Sequence, residues 1–348
     1  MRRGVLKRVL GLSAIAALSL AVAGCGGGSG GGDQSSNGST SGGGGSASGS
    51  VNVEGSSTVA PITQAAAEAY SEQNPDVNIT VGSQGTGNGF EAFCAGDTDI
   101  SDASRPIDQA EELPTCQENG IEFIALPVGL DGISVVANPQ NDWASNLSVE
   151  ELRTIWQPES QGEVNSWNDV RSEFPDNELA LFGPGTESGT FDFFTEVVVG
   201  EEGSSRSDFQ ASEDDNVLVQ GVSGNPNALG YFGFSFYERN QDQLKLLSVD
   251  GVEPNRDTIS SGEYPLSRPL FIYVNANKLE NNPALQDFVS FYLENVNELV
   301  QTAQYVTLPD STLELTREQF EQRQTGPLYN ENGELPEGGL EAALEQSQ

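Results

Sequence analysis

Short apolar, β-branched runs alternate with amphipathic stretches along most of the chain, and Gly, Ser and Thr collect at the joints between them. Val51-Asn52-Val53-Glu54 reads as a strand running into Gly55-Ser56-Ser57-Thr58, and the Ala-rich pattern of residues 59–73 predicts a helix that stops near Asn74-Pro75. Val77–Val81 alternates as a second strand, and the Gly-rich GSQGTGNGF of 82–90 leads into another helix. Residues 121–127 and 132–138 predict two separate apolar strands. Ser148, with Glu151 three residues on, marks a helix start. Residues 179–182 predict a strand feeding GPGTESGTFDFF (183–194), with a helix over 190–199 behind it. Further strands are expected at 230–233, 244–249 and 268–274, and an amphipathic helix at 283–297.

Strand, loop and helix in repetition imply an α/β fold with mostly parallel sheets, in which a ligand sits beyond the carboxyl ends of the strands. The first 25 residues stand apart. MRRGVLKRVLGLSAIAALSLAVAGC has a basic start, an apolar core and a closing Val22-Ala23-Gly24-Cys25, the pattern of a lipoprotein signal over residues 1–24 with Cys25 lipidated. Its apolar run is short for a membrane span. Such a leader places the protein outside the cytoplasm, lipid-anchored on the outer face of the cell membrane or periplasmic. Residues 25–50, beyond the cysteine, hold no apolar side chain larger than Ala; they are expected to form a flexible tether about 25–30 Å across. The acidic, Gly-rich segment 328–348 is expected to be a flexible tail.

The formal net charge is -37, with 52 acidic residues against 15 Lys and Arg and no His. The acids are spread along the chain, a surface suited to concentrated salt and a halophile-like source. No basic patch exists to meet nucleic-acid phosphates. Without His, and without a Cys/His cluster, a hydroxyl nucleophile lacks its base and a metal lacks its usual ligands, so no cofactor or metal is expected and an enzyme is disfavoured. Cys94 and Cys116 remain as an even pair in an exported chain and are expected to form a disulfide.

Against that acidic background, three loop-to-helix junctions carry anion-binding character: Gly55-Ser56-Ser57-Thr58, Ser83-Gln84-Gly85-Thr86-Gly87 and Thr186-Glu187-Ser188-Gly189-Thr190. Each offers hydroxyls and free N–H groups at a helix start, with small residues permitting close approach. Arg105 follows Asp102-Ala103-Ser104, where a guanidinium could bind an oxyanion bidentately. Asp102 could accept the proton of hydrogen phosphate, which sulfate lacks, or could orient Arg105.

In order along residues 51–327, these segments resemble the substrate-binding lipoproteins of phosphate-specific ABC transporters, the PstS-like group of periplasmic binding proteins. The residues that carry the likeness are Val53-Glu54-Gly55-Ser56-Ser57-Thr58-Val59-Ala60-Pro61, Gly85-Thr86-Gly87-Asn88-Gly89-Phe90, Asp99-Ile100-Ser101-Asp102-Ala103-Ser104-Arg105-Pro106 and Ser188-Gly189-Thr190-Phe191, with Asn225, Ala228, Leu229, Gly230 and Tyr231. The resemblance implies a two-lobe, type II-like binding protein: residues 51–132 plus 266–327 in one lobe, 133–265 in the other, and dehydrated phosphate between them. It implies a monomer that hands phosphate to separate permease subunits in the membrane. Ser57 would give a hydroxyl, Thr58 a backbone N–H, and Ser83 or Thr86 a further contact. Ser188, Gly189 and Thr190 would close the site from the other lobe. Where the family often has Arg, four residues before that serine, this chain has Pro184. Arg105, beside Ser104, is therefore expected to supply the positive charge with Glu187 or Asp102 as its partner. A binding protein for sulfate, molybdate or tungstate remains the main alternative; a secreted phosphatase and an attachment protein are the others.

Overall fold

The computed structural model describes residues 48–186 and 188–347. The expected signal sequence, Cys25 and nearly all of the expected tether therefore lie outside the described residues, as does Glu187. In the first part of the chain come β1 (Gly49–Gly55), α1 (Ala60–Gln73), β2 (Val77–Val81), α2 (Thr86–Cys94), β3 (Ile100–Ala103), α3 (Glu112–Glu118) and β4 (Phe123–Ala137). The middle holds β5 (Asn146–Leu147), α4 (Val149–Trp156), α5 (Trp167–Val170), β6 (Ala180–Pro184), α6 (Gly189–Phe194), β7 (Gln210–Ser212), α7 (Asp215–Gly224), β8 (Ala228–Gly233) and α8 (Phe234–Asn240). The remainder comprises β9 (Lys245–Leu246), β10 (Ser248–Val249), α9 (Arg256–Ser260), β11 (Ser267–Asn275), α10 (Ala276–Leu279), α11 (Pro283–Thr302), α12 (Asp310–Glu321) and α13 (Gly339–Ser347).

The main sheet runs β2-β1-β3-β11-β4-β8-β6-β7, with β9 also on β4. Its two ends are parallel: β1 pairs with β2 and β3, and β6 with β7 and β8. The middle is antiparallel, where β11 lies between β3 and β4 and β4 continues onto β8. The two strands expected around residues 121–138 are thus one. β4 pairs with β11 from Phe123 to Gly132 and with β8 from Ile133 to Ala137, so a single strand serves both halves of the sheet. All fifteen of its positions are buried, as they must be when helices or loops cover both faces, and the usual polar alternation is missing.

Each half has its own aromatic packing. In the first, Tyr70 of α1 meets Phe288 and Phe291 of α11 edge-on, at 5.6 and 5.4 Å between ring centroids. In the second, Phe194 stacks on Tyr231 at 3.7 Å, with Trp156 standing edge-on to Tyr231 at 4.9 Å. That stack fixes α6 on the sheet and with it Ser188 and Gly189. Beyond α6 the helix widens into one turn with five-residue spacing, Thr195–Val199.

The segment from Leu328, expected to be flexible, is folded. Asn330 Oδ1 accepts from the N–H groups of Asn332 and Glu334, both at 2.9 Å, and closes a turn. α13 then places Ala343 and Leu344 in a cluster with Phe93, Phe123 and Phe271. The acidic composition concealed a short stripe, Leu340, Ala343 and Leu344, at helical spacing.

Cys94 and Cys116 are joined as expected, tying α2 to α3 within the same cluster. The bridge spans 22 residues. By the loop-entropy relation, replacing both cysteines with serine should cost about 3 kcal/mol. Urea unfolding with and without reductant checks this; coincident curves would mean that the bridge contributes nothing.

Candidate functional site

β1 ends at Gly55, which is paired with Asp102 of β3. A side chain at Gly55 would strike the Asp102 backbone, and its φ is 146°, so glycine is required where the chain leaves the sheet. Ser56 N–H donates to the Asp102 carbonyl at 2.9 Å, and Thr58 N–H donates to Ser56 Oγ at 3.2 Å. Pro61 lies in the first turn of α1, where its missing N–H costs nothing. These bonds hold Thr58, itself buried, at the head of that helix.

The third junction meets the first. Thr58 Oγ1 donates to the Gly189 carbonyl at 3.4 Å, and Ser57 Oγ donates to Asp192 Oδ2 at 3.2 Å. Ser188 caps α6, its Oγ accepting from Thr190 N–H at 3.2 Å. Gly189 passes so close that a Cβ would come within 2.9 Å of Thr58 Cα and 3.0 Å of its nitrogen. The second junction leans on the first through Gly85 N–H, which donates to the Gly55 carbonyl at 2.9 Å. Thr86 Oγ1 lies 3.0 Å from Ser104 Oγ and accepts from Ser104 N–H at 3.3 Å. Ser83 is exposed, and among the described residues it makes no hydrogen bond with the others. Thr86, and not Ser83, is therefore the member of this junction tied into the cluster.

Asp102 is fully buried beneath α1. Its Oδ1 accepts from Thr63 Oγ1 at 2.9 Å, and Thr63 in turn lies 3.3 Å from the Tyr292 hydroxyl. Oδ2 is buried and has no hydrogen-bond partner among the described residues. Burial pushes the carboxyl up to about 8; the Thr63 bond opposes that rise and Glu54 adds to it. With Oδ1 already accepting from Thr63, Oδ2 is the oxygen left available to a proton.

Arg105 pairs with Glu112 and not with Asp102, while Glu187, the other partner expected, lies outside the described residues. Its guanidinium makes a two-pronged pair with Glu112 of α3, at 2.9 and 2.8 Å, and Nη1 also donates to the Pro106 carbonyl at 3.1 Å. Glu112, first residue of a helix that starts seven residues on, was within easy reach, which is why the pair forms locally and Asp102 stays out of it. The Glu112 bonds hold Arg105 still more firmly in its charged form.

Two residues overlooked in the sequence stand beside Thr58 and Gly189. Arg268 is the second residue of β11; its Nη2 donates to Thr58 Oγ1 at 3.0 Å and to the Gly189 carbonyl at 3.3 Å. Asp131, fully buried in β4, faces Arg268 Nε at 3.5 Å. Burial raises the Asp131 carboxyl, and Arg268 works against that rise. A sequence signal existed for both: Asp131 interrupts the apolar run GLDGISVV, and Arg268 heads the apolar strand RPLFIYV. Among the described residues no group of three or more His, Cys, Asp or Glu is placed to hold a metal, and no helix is long and apolar enough to cross a membrane.

Residues 40–296 match a family described as a PBP superfamily domain. Protein SphX of Synechocystis sp. is 47% identical over 287 residues, covering 81% of this chain and 85% of that protein. Phosphate-binding protein PstS of Staphylococcus saprophyticus is 40% identical over 266 residues, 75% of this chain and 81% of its own length. The crystal structure of a possible phosphate-binding protein from Planctomyces limnophilus is 43% identical with a TM-score of 0.76, covering 80% of this chain and 99% of that one.

Proposed function

This chain belongs to the PBP superfamily, and on that premise we propose that it captures inorganic phosphate outside the cytoplasm and delivers it to an ABC-type import permease. The observation that carries the reading is the meeting of Thr58 and Gly189 from two ends of one sheet, close to a buried Asp102 with an unused oxygen. Amides and hydroxyls of Ser57, Thr58, Thr86, Ser104, Ser188, Gly189 and Thr190 would surround the anion, and Asp102 Oδ2 would share its proton. Residues 51–132 with 266–327 would form one lobe and 133–265 the other; the lobes must part to admit the ion, because Thr58 and Gly189 touch. The names of the phosphate-binding relatives support phosphate over sulfate, molybdate or tungstate. They are binding proteins, which supports capture without turnover. Lipidation at Cys25 and a monomeric state complete the proposal.

The diffuse negative charge does not oppose capture, since salt screens it within about 8–10 Å while aimed N–H groups act at contact. Calorimetric titration at about pH 9, on protein freed of carried-over phosphate, should give one tight phosphate site and sulfate at least ~100-fold weaker. Equal affinities would remove the role given to Asp102.

A further inference from the structure

The amides and hydroxyls that would surround the anion carry no positive charge. We propose that Arg268 supplies it, and that Glu196 is a counter-ion which the incoming oxyanion displaces. The proposal rests on the phosphate-capture reading and extends it to the exchange of partners inside the site.

The guanidinium of Arg268 is held on every side but one. Its side chain is 11% exposed. One face lies on the Phe193 ring, 3.9 Å from the centroid. Nη2 spans Thr58 Oγ1 and the Gly189 carbonyl, the very contact between the two junctions. Nε is turned to Asp131 Oδ2 at 3.5 Å, on a side chain that is itself fully buried. A buried carboxylate that cannot leave fixes the guanidinium plane and keeps its charge compensated. The remaining nitrogen, Nη1, meets Glu196 Oε2 at 3.5 Å, and the Glu196 side chain is 44% exposed. Of the groups in direct contact with Arg268, Glu196 is the exposed one and can swing into water at little cost, because such a pair is long, wet and weak.

A tetrahedral dianion between Thr58 and Gly189 would take the place of that carboxylate on Nη1 and, as the two junctions part, of the Gly189 carbonyl on Nη2, a forked arrangement that suits phosphate oxygens. Arg105 is not free in this way: both of its terminal nitrogens are committed to Glu112. Asp192, Glu196 and Glu202 crowd the same side, and burial together with Asp192 and Glu196 raises the Glu202 carboxyl. Glu196 therefore competes with the ligand for one cation and repels it as well.

Inorganic phosphate titrated at low salt tests this. Arg268→Gln should lose at least ~100-fold in affinity, and Arg105→Gln less than ~10-fold, the difference between a charged bond to ligand and a remote charge. Should Arg268→Gln alone fold poorly, with Asp131 left uncompensated, the Arg268→Gln/Asp131→Asn pair removes both charges and should show the same loss. Glu196→Gln should bind ~3–10-fold tighter, a gain that fades in concentrated salt. Wild-type affinity in the Arg268→Gln/Asp131→Asn protein, or no gain in Glu196→Gln, overturns the proposal while phosphate capture stands. Failure of the wild-type protein to bind phosphate would overturn both.

Discussion

At about pH 9 the Asp102→Asn protein should bind sulfate more tightly than the wild type does, and its preference for phosphate should shrink to roughly tenfold or less. Burial holds the Asp102 carboxyl at about 8, so below that pH the neutral acid can donate from Oδ2 to either anion. Above it the carboxylate can only accept. Hydrogen phosphate still brings a proton, whereas sulfate must first have Asp102 protonated. Wild-type sulfate affinity should then fall about tenfold for each further pH unit, while phosphate affinity stays nearly level. An amide donates at every pH, so the variant should show no such fall. Calorimetry at several pH values on both proteins decides it; a wild-type sulfate curve flat from neutral to alkaline pH would refute the assignment. Stability of the empty protein follows the same group. A carboxyl raised from 3.8 to about 8 contributes stability in full below the lower value, and that contribution is lost as pH climbs through the upper one.

The second large effect is steric. Gly189→Val should abolish measurable phosphate binding, with a loss of ~1000-fold or more, while the protein still unfolds in one transition near the wild-type temperature. The first added carbon would lie 2.9 Å from Thr58 Cα, a backbone atom that no rotamer change can move. The strain is relieved by holding α6 away from α1, which opens the site without disturbing either aromatic core. Retained binding would show that Gly189 and Thr58 need not approach one another.

Much of this architecture can be read in the chain, for identifiable reasons. Junctions made of Gly, Ser and Thr declare themselves because helix starts and close backbone approaches demand small, hydroxylated residues. Asp102 also stands out in the sequence, sitting in a short buried strand beside Ser101 and Ala103. The cation did not, because proximity in sequence favours Arg105, while Arg268 reaches Thr58 only through the β3-β11-β4 pairing, 210 residues away. Strand β4 was divided in two at residues 128–131, since Gly129 and Asp131 look like breaks; pairing with β11 on one side keeps the backbone extended there. Helix α13 was hidden by composition, the three apolar residues of its stripe diluted by Gly and Glu until the cluster around Phe271 gives them something to cover.

That last helix bears on how the molecule is completed. Phe93, Phe123 and Phe271 share one buried cluster with Ala343 and Leu344 of α13. A polypeptide emerging amino end first would have all three rings, and both cysteines, out in the open well before their lid arrives. Oxidation can precede closure, and a chain cut short before Gly339 would leave that surface an adhesive patch for its neighbours.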